Sequence, residues 1–184
     1  MSMKPIVLGC ALALAGPVAA QAQTPPVPAR NQAALLKSAD PKLAANKKLV
    51  FDMYRAIVNG GHHEMAEQFF TKEYLQHNPN VASGRDALVE YIKKTRPVRP
   101  IPAEIGFPVI SIMADGDMVL VASVAYDDDP EQPGAKYAAT HFDLYRIENG
   151  KVAEHWDNVP KNKAAALRTD PNVTSRKDGP PAPK

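Results

Sequence analysis

The segment from Thr140 to Asp157, THFDLYRIENGKVAEHWD, constrains the fold of this chain more than any other. Its first arm alternates His141, Asp143, Tyr145 and Ile147 against Phe142, Leu144 and Arg146, a two-residue period rich in aromatic and β-branched side chains. That period predicts a strand. Glu148-Asn149-Gly150 is turn chemistry, with Gly150 suited to a positive φ, and the alternation resumes from Lys151 to Asn158. The segment is a β-hairpin with two possible registers. A three-residue loop closing Ile147 onto Lys151 sets His141 opposite Asp157. A two-residue Asn149-Gly150 loop sets His141 against Asn158 and turns Asp157 to the other face. The choice decides whether a His/Asp pair shares one face of the sheet. Such a pair on the inner face of a curved sheet must be satisfied or used, and a carboxylate in an apolar cavity can move protons near neutral pH.

The elements before the hairpin are helical. Asp40-Pro41 is a helix start, with Asp as N-cap and Pro in the first turn. Leu43, Leu49, Val50, Met53, Tyr54 and Ile57 follow at helical spacing up to Asn59-Gly60-Gly61. A second, short helix covers His62 to Phe70. Thr71 to Asn78 is extended and ends at Asn78-Pro79. Ser83-Gly84 introduces a third helix, Arg85 to Thr95. After Pro100 the chain reads as strands: Ala103 to Met113, Met118 to Tyr126, Tyr137 to Ile147 and Lys151 to Asn158, with an acidic loop at Asp127 to Gly134. Helices first and a meander second predict an α+β fold, three helices packed on a strongly curved, mainly antiparallel sheet.

The 184 residues, 45% hydrophobic, suit one domain with a real core. Lys4, the apolar run Pro5 to Gly16 and the small residues up to Ala20-Gln21-Ala22 form a secretory leader over residues 1–22, cleaved after Ala22 or Ala20. Its removal leaves no membrane anchor and predicts a periplasmic or secreted protein. Cys10 is the one cysteine, and it lies in the leader, so the mature chain has no disulfide and no thiol chemistry. Residues 23–40 form a Pro-rich linker and the approach to the first helix. Residues 41–159 form the domain, and 160–184 a mostly disordered tail. The tail carries Lys161, Lys163, Arg168, Arg176, Lys177 and Lys184 against Asp170 and Asp178, so the formal charge of +2 leaves a mildly acidic body. With no basic stripe on the folded part, nucleic acid is not an expected partner.

Tyr74-Leu75-Gln76-His77-Asn78-Pro79, Gly84-Arg85-Asp86-Ala87-Leu88 and the closing Glu154-His155-Trp156-Asp157 together carry a family likeness. Over Lys42 to Asn158 the chain resembles the SnoaL-like polyketide cyclases of the nuclear transport factor 2-like superfamily. The resemblance implies a cone-shaped α+β barrel around a deep pocket and a cofactor-free, metal-free aldol-type ring closure. It implies an Asp on the last strand as general acid/base and an assisting His on the strand before it, positions held here by Asp157 and His141. It thereby supports the three-residue loop. Candidate substrate-binding residues are His77 and Asn78 at the rim, Asp143 and His155 on the hairpin, and Tyr91 on the third helix. Trp156, facing away from Asp157, is expected to pack under the helices. The expected partner is a small hydrophobic carbonyl compound. The alternatives are a non-catalytic pocket for such a ligand and a dimerising scaffold. Apolar residues on both faces of the strands (Val119 and Val121 against Met118 and Leu120) predict a homodimer.

Overall fold

The computed structural model describes residues 24–161. The predicted leader with Cys10, the cleavage site at Gln23 and nearly all of the predicted tail lie outside the described residues. A 3₁₀ helix, Gln32–Leu36, precedes α1 (Pro41–Met53), which runs on into a π-helical turn, Tyr54–Asn59. A 3₁₀ turn, His63–Met65, leads into the single-turn helix α2 (Ala66–Phe69). Strand β1 (Phe70–Gln76) and helix α3 (Arg85–Thr95) follow. Then come β2 (Val109–Asp115), β3 (Met118–Asp128), β4 (Lys136–Glu148) and β5 (Lys151–Asp157). The sheet order is β1-β5-β4-β3-β2; β1 runs parallel to β5 and the other pairs are antiparallel. The architecture is the expected α+β, with the helices on one face of the sheet.

Local chemistry explains the elements. Asp40 caps α1, its Oδ1 accepting from Lys42 N at 2.7 Å and Leu43 N at 3.4 Å, and Pro41 stands in the first turn, where no amide donor is needed. The inner stripe of α1 and the π turn buries Val50, Met53, Tyr54 and Ile57 against Val119, Val121, Tyr145 and Val152 of the sheet. Register shifts interrupt the β1/β5, β2/β3 and β4/β5 ladders. Each extra residue bends its strand and increases twist, so the sheet curls around the helices instead of lying flat. The predicted strand Ala103–Met113 is shorter than expected: β2 begins only at Val109. Pro102 and Pro108 supply no amide for a ladder, and residues 101–108 run as irregular chain along the helix layer. Gln32 anchors that run, donating to Ile105 O at 3.0 Å and accepting from Ile105 N at 2.8 Å.

The β4/β5 hairpin takes neither of the two predicted registers. Its turn is the two-residue one: Glu148 pairs with Lys151, and Asn149 and Gly150 both have positive φ, 51° and 71°. Had the ladder continued without interruption, Asp157 would face outward. Instead the register shifts between Arg146 and Ile147: Ile147 pairs with Val152, Arg146 with Glu154, and Ala153 is the extra residue. This bulge reverses the parity of the rest of β5. Asp157 returns to the inner face, where its partner is Asp143 and not His141. His141, two residues before Asp143, shares that face.

The outer face carries a cross-sheet row, Met113–Leu120–Leu144–Trp156, whose members pair strand by strand. Trp156 therefore does not pack under the helices, which cover the opposite face; it stacks on His77 with ring centroids 4.8 Å apart.

Candidate active site

A cavity of about 510 Å³ opens between the helices and the concave face of the sheet. The hairpin contributes His141, Asp143, Tyr145, His155 and Asp157 to its wall. β1 and the following turn add Tyr74, Gln76 and Asn78, and the helix layer adds Tyr54, Tyr91, Ile92 and Arg96. Most of the remaining lining is apolar, including Met53, Ile57, Val58, Leu88, Phe107 and Val124.

Asp143 is the hub. It is buried, and Tyr54 donates to its Oδ2 at 2.6 Å while His155 Nε2 lies 2.9 Å from Oδ1. His141 Nε2 approaches the same Oδ1 at 3.4 Å. The Tyr145 hydroxyl donates to that of Tyr54 at 2.8 Å, extending the chain. Burial alone would raise the Asp143 pKa, but the hydrogen bonds and charges of His141 and His155 outweigh it and hold the carboxyl well below its usual range. Burial and the negative charge of Asp143 push both Tyr54 and Tyr145 well above the ordinary tyrosine value, so both remain neutral donors.

Gln76 and Tyr145 fix His155. Its Nδ1 lies 2.9 Å from Gln76 Oε1, its ring stacks on Tyr145 at 4.6 Å, and the Gln76 amide is oriented by Asn78 N at 3.0 Å and Tyr74 OH at 3.0 Å. β1 delivers Gln76 because it pairs in parallel with β5, Gln76 opposite His155.

Asp157 is half-buried and differently held. Asn78 Nδ2 donates to Oδ2 at 2.5 Å and Val159 N to Oδ1 at 3.1 Å. Asn78 is itself aligned by Asn80 N, which donates to its Oδ1 at 2.8 Å. Each oxygen of Asp157 has one donor, which leaves lone pairs for the cavity. No arginine or lysine among the described residues ties it down: Arg146 pairs with Glu148 and Glu154 at 2.8 and 2.9 Å.

Of the predicted residues, Asp157, His141, Asn78, Asp143, His155 and Tyr91 line the cavity. His77 does not. Strand alternation sends it outward beside Gln76; it is exposed, stacked on Trp156 and 2.8 Å from Glu154 Oε1. Sequence reasoning missed Gln76, Tyr54 and Arg96. The facing of Gln76 is set by the parallel pairing of β1 with β5, and the other two sit on helices whose facing only the packing decides.

Asp143, His155 and Asp157 present ligand atoms all within 4.8 Å of one another. For them to hold a divalent cation, His155 would have to give up its contact with Asp143 and offer a bare nitrogen.

His141 has a readable pH signature. Burial lowers its pKa, but the hydrogen bond to Asp143 and the charges of Asp143, Asp157 and Asp127 raise it above the ordinary 6.5. A raised folded-state value stabilises the fold fully below 6.5, and that contribution is lost as pH rises through the raised value. The melting temperature should therefore fall between pH 6 and pH 9, and His141→Gln should flatten that slope. Equal slopes for the two proteins would show that His141 is not paired with Asp143 in solution.

A model of the SnoaL-like domain matches residues 50–155, more than half of the chain. No curated protein sequence matches it. Among solved structures, TsrD from Streptomyces laurentii is similar at 18% identity and a TM-score of 0.43, over 74% of this chain and 99% of that one. A protein assigned as a polyketide cyclase from Bacillus cereus ATCC 10987 is similar at 16% identity and a TM-score of 0.46, over 73% and 85%. One assigned as a SnoaL-like polyketide cyclase from Jannaschia sp. CCS1 is similar at 16% identity and a TM-score of 0.45, over 73% and 97%.

Proposed function

The chain belongs to the SnoaL-like domain family, and on that footing we propose that it is a cofactor-independent acid/base enzyme that cyclises or isomerises a small, largely apolar carbonyl compound. The observation that carries this reading is Asp157, a carboxylate with lone pairs to spare on the wall of an apolar cavity, beside the His141–Asp143 pair. Asp157 takes a proton from the carbon α to the carbonyl. The C–H electrons form the enolate double bond, and the charge that develops on oxygen is met by the His141 N–H. In a cyclisation the enolate carbon then bonds to a second carbonyl carbon of the same molecule, and the new alkoxide takes a proton back. In an isomerisation the proton returns to a different carbon. Asp143 takes no proton. Held ionised by three donors, it orients His155 and keeps His141 a donor.

The leader read in the sequence adds an export step to this proposal, placing the chemistry in the periplasm or outside the cell. The test is α-proton exchange. β-Dicarbonyl and polyketide-like compounds are incubated with the protein in D₂O and followed by NMR; exchange faster than in buffer for at least one compound is expected. Compounds that bind without exchanging would turn the reading to a pocket that only holds its ligand.

We also propose a homodimer through the outer sheet face. Met113 and Phe142 are 49% and 45% exposed there, alongside the half-buried Leu120, Leu144 and Trp156, an apolar surface of the kind a second copy covers. Light scattering at micromolar concentration should give twice the chain mass, and the double substitution Met113→Glu with Phe142→Glu should give a monomer. A wild-type monomer at that concentration removes the proposal.

A further inference from the structure

Arg96 lines the cavity, and the proposed chemistry gives it no part. It caps the C-terminal end of α3 and lines the cavity wall among Ile57, Val58, Tyr91, Ile92 and Phe107. Its Nη1 donates to Val58 O at 2.8 Å, a carbonyl at the end of the π turn. That bond uses one of five guanidinium donors. The groups that act on its charge are the side chains of Tyr91 and Tyr145; no carboxylate among the described residues does so. Burial lowers its pKa, yet an arginine remains charged under any ordinary condition. Three acids line the cavity, Asp127, Asp143 and Asp157, and none of them acts on the charge of Arg96. Asp143 is taken by Tyr54, His155 and His141, and Asp157 by Asn78 and Val159 N. A half-buried cation without a counter-ion is costly, and a cavity that keeps one is short of a negative charge.

We propose that Arg96 receives a carboxylate of the ligand, so that the pocket takes a carbonyl compound that is also an acid. The guanidinium fork matches a planar carboxylate, and the apolar wall around it strengthens the pairing by excluding water. Apolar surface binds the body of such a ligand, Arg96 fixes one end, and the reacting carbonyl is left for the wall that carries Asp157 and His141. This rests on the acid/base reading for the carbonyl, but the anion site is measurable without any turnover.

The experiment uses 2-naphthoate and 2-naphthamide at neutral pH. The two have the same ring and differ in charge, and neither has an α-proton to exchange. Titration calorimetry on the wild-type protein should show the acid binding roughly 10–100-fold tighter than the amide, the range for a charge-assisted pair out of water. Arg96→Gln should abolish that preference while leaving the amide affinity within about twofold. Arg96→Lys, which keeps the charge and loses the fork, should retain part of it. Asp157→Asn should retain all of it. The comparison is a ratio within each variant, so a purely structural role of Arg96 as a helix cap, which would weaken both ligands alike, does not reproduce it. Wild-type protein that binds both ligands equally or neither of them, or a preference that survives Arg96→Gln, overturns the assignment. A failed exchange experiment with an intact acid preference would overturn the proposed reaction and leave the anion site standing.

Discussion

Asp143→Ala should destabilise the fold by about 3–5 kcal/mol, the cost of removing one partner from a buried, hydrogen-bonded ionic cluster. Tyr54 OH, His155 Nε2 and His141 Nε2 all converge on this carboxylate, and Tyr54 in turn accepts from Tyr145. Alanine leaves those donors without the acceptor on which they converge. Against a typical domain stability of roughly 5–15 kcal/mol, the loss is large enough to lower the melting temperature by on the order of 10–20 °C. Asp143→Asn, which keeps the volume and one acceptor oxygen, should cost less than half as much. Thermal melts by circular dichroism separate these outcomes. If Asp143→Ala melts within about 3 °C of the wild type, the cluster is not the structural hub its geometry indicates. The same carboxylate sets an acid limit. Its depressed folded-state pKa means that it stabilises the fold above the ordinary 3.8 and that this contribution is lost as pH falls through the depressed value.

The hairpin shows what the sequence held and what it hid. Asn149-Gly150 is local chemistry, two residues that tolerate positive φ, and it was legible as a turn. The bulge at Ala153 was not, because nothing in Val152-Ala153-Glu154 distinguishes an extra residue from a regular one. Its cause is tertiary: Val152 and Ala153 are both buried, so two neighbours that alternation would split are both turned inward. A parity argument fails wherever such a bulge intervenes, which is why Asp157 reached the inner face with a two-residue turn that should have excluded it. The reading of His77 as a rim residue failed for a related reason. The facing of β1 is set by its parallel pairing with β5, a contact between segments nearly eighty residues apart in sequence. By contrast, the α+β order was legible from Asp40-Pro41, from Ser83-Gly84 and from the alternating strands, each of which is local. Tyr54 and Arg96 sit on helices and acquire their roles only when the helix layer closes on the sheet.

Asp157→Asn should lower turnover by roughly 10²–10⁴-fold, the contribution of a positioned general base, while leaving the fold nearly as stable as before. The geometry separates this residue from the other cavity carboxylate. Asp143 is saturated with donors and held ionised, which makes it a weak base. Asp157 has one donor on each oxygen, from Asn78 and from Val159 N, and faces the cavity. The amide keeps the size of the side chain, and its oxygen can still accept from Asn78, so the structural loss is a single hydrogen bond at a half-buried site, about 1 kcal/mol or less. His141→Ala should cost less in rate, since its part is to donate to the developing oxyanion and not to remove the proton. Asn78→Ala should fall between, because it frees the carboxylate from the donor that aims it. The readouts are the α-proton exchange rate in D₂O and the melting temperature of each variant. A large loss of exchange with an unchanged melt identifies Asp157 as the base; unchanged exchange in Asp157→Asn on a substrate the wild type turns over would move the proton-abstracting role to His141 on the same cavity wall.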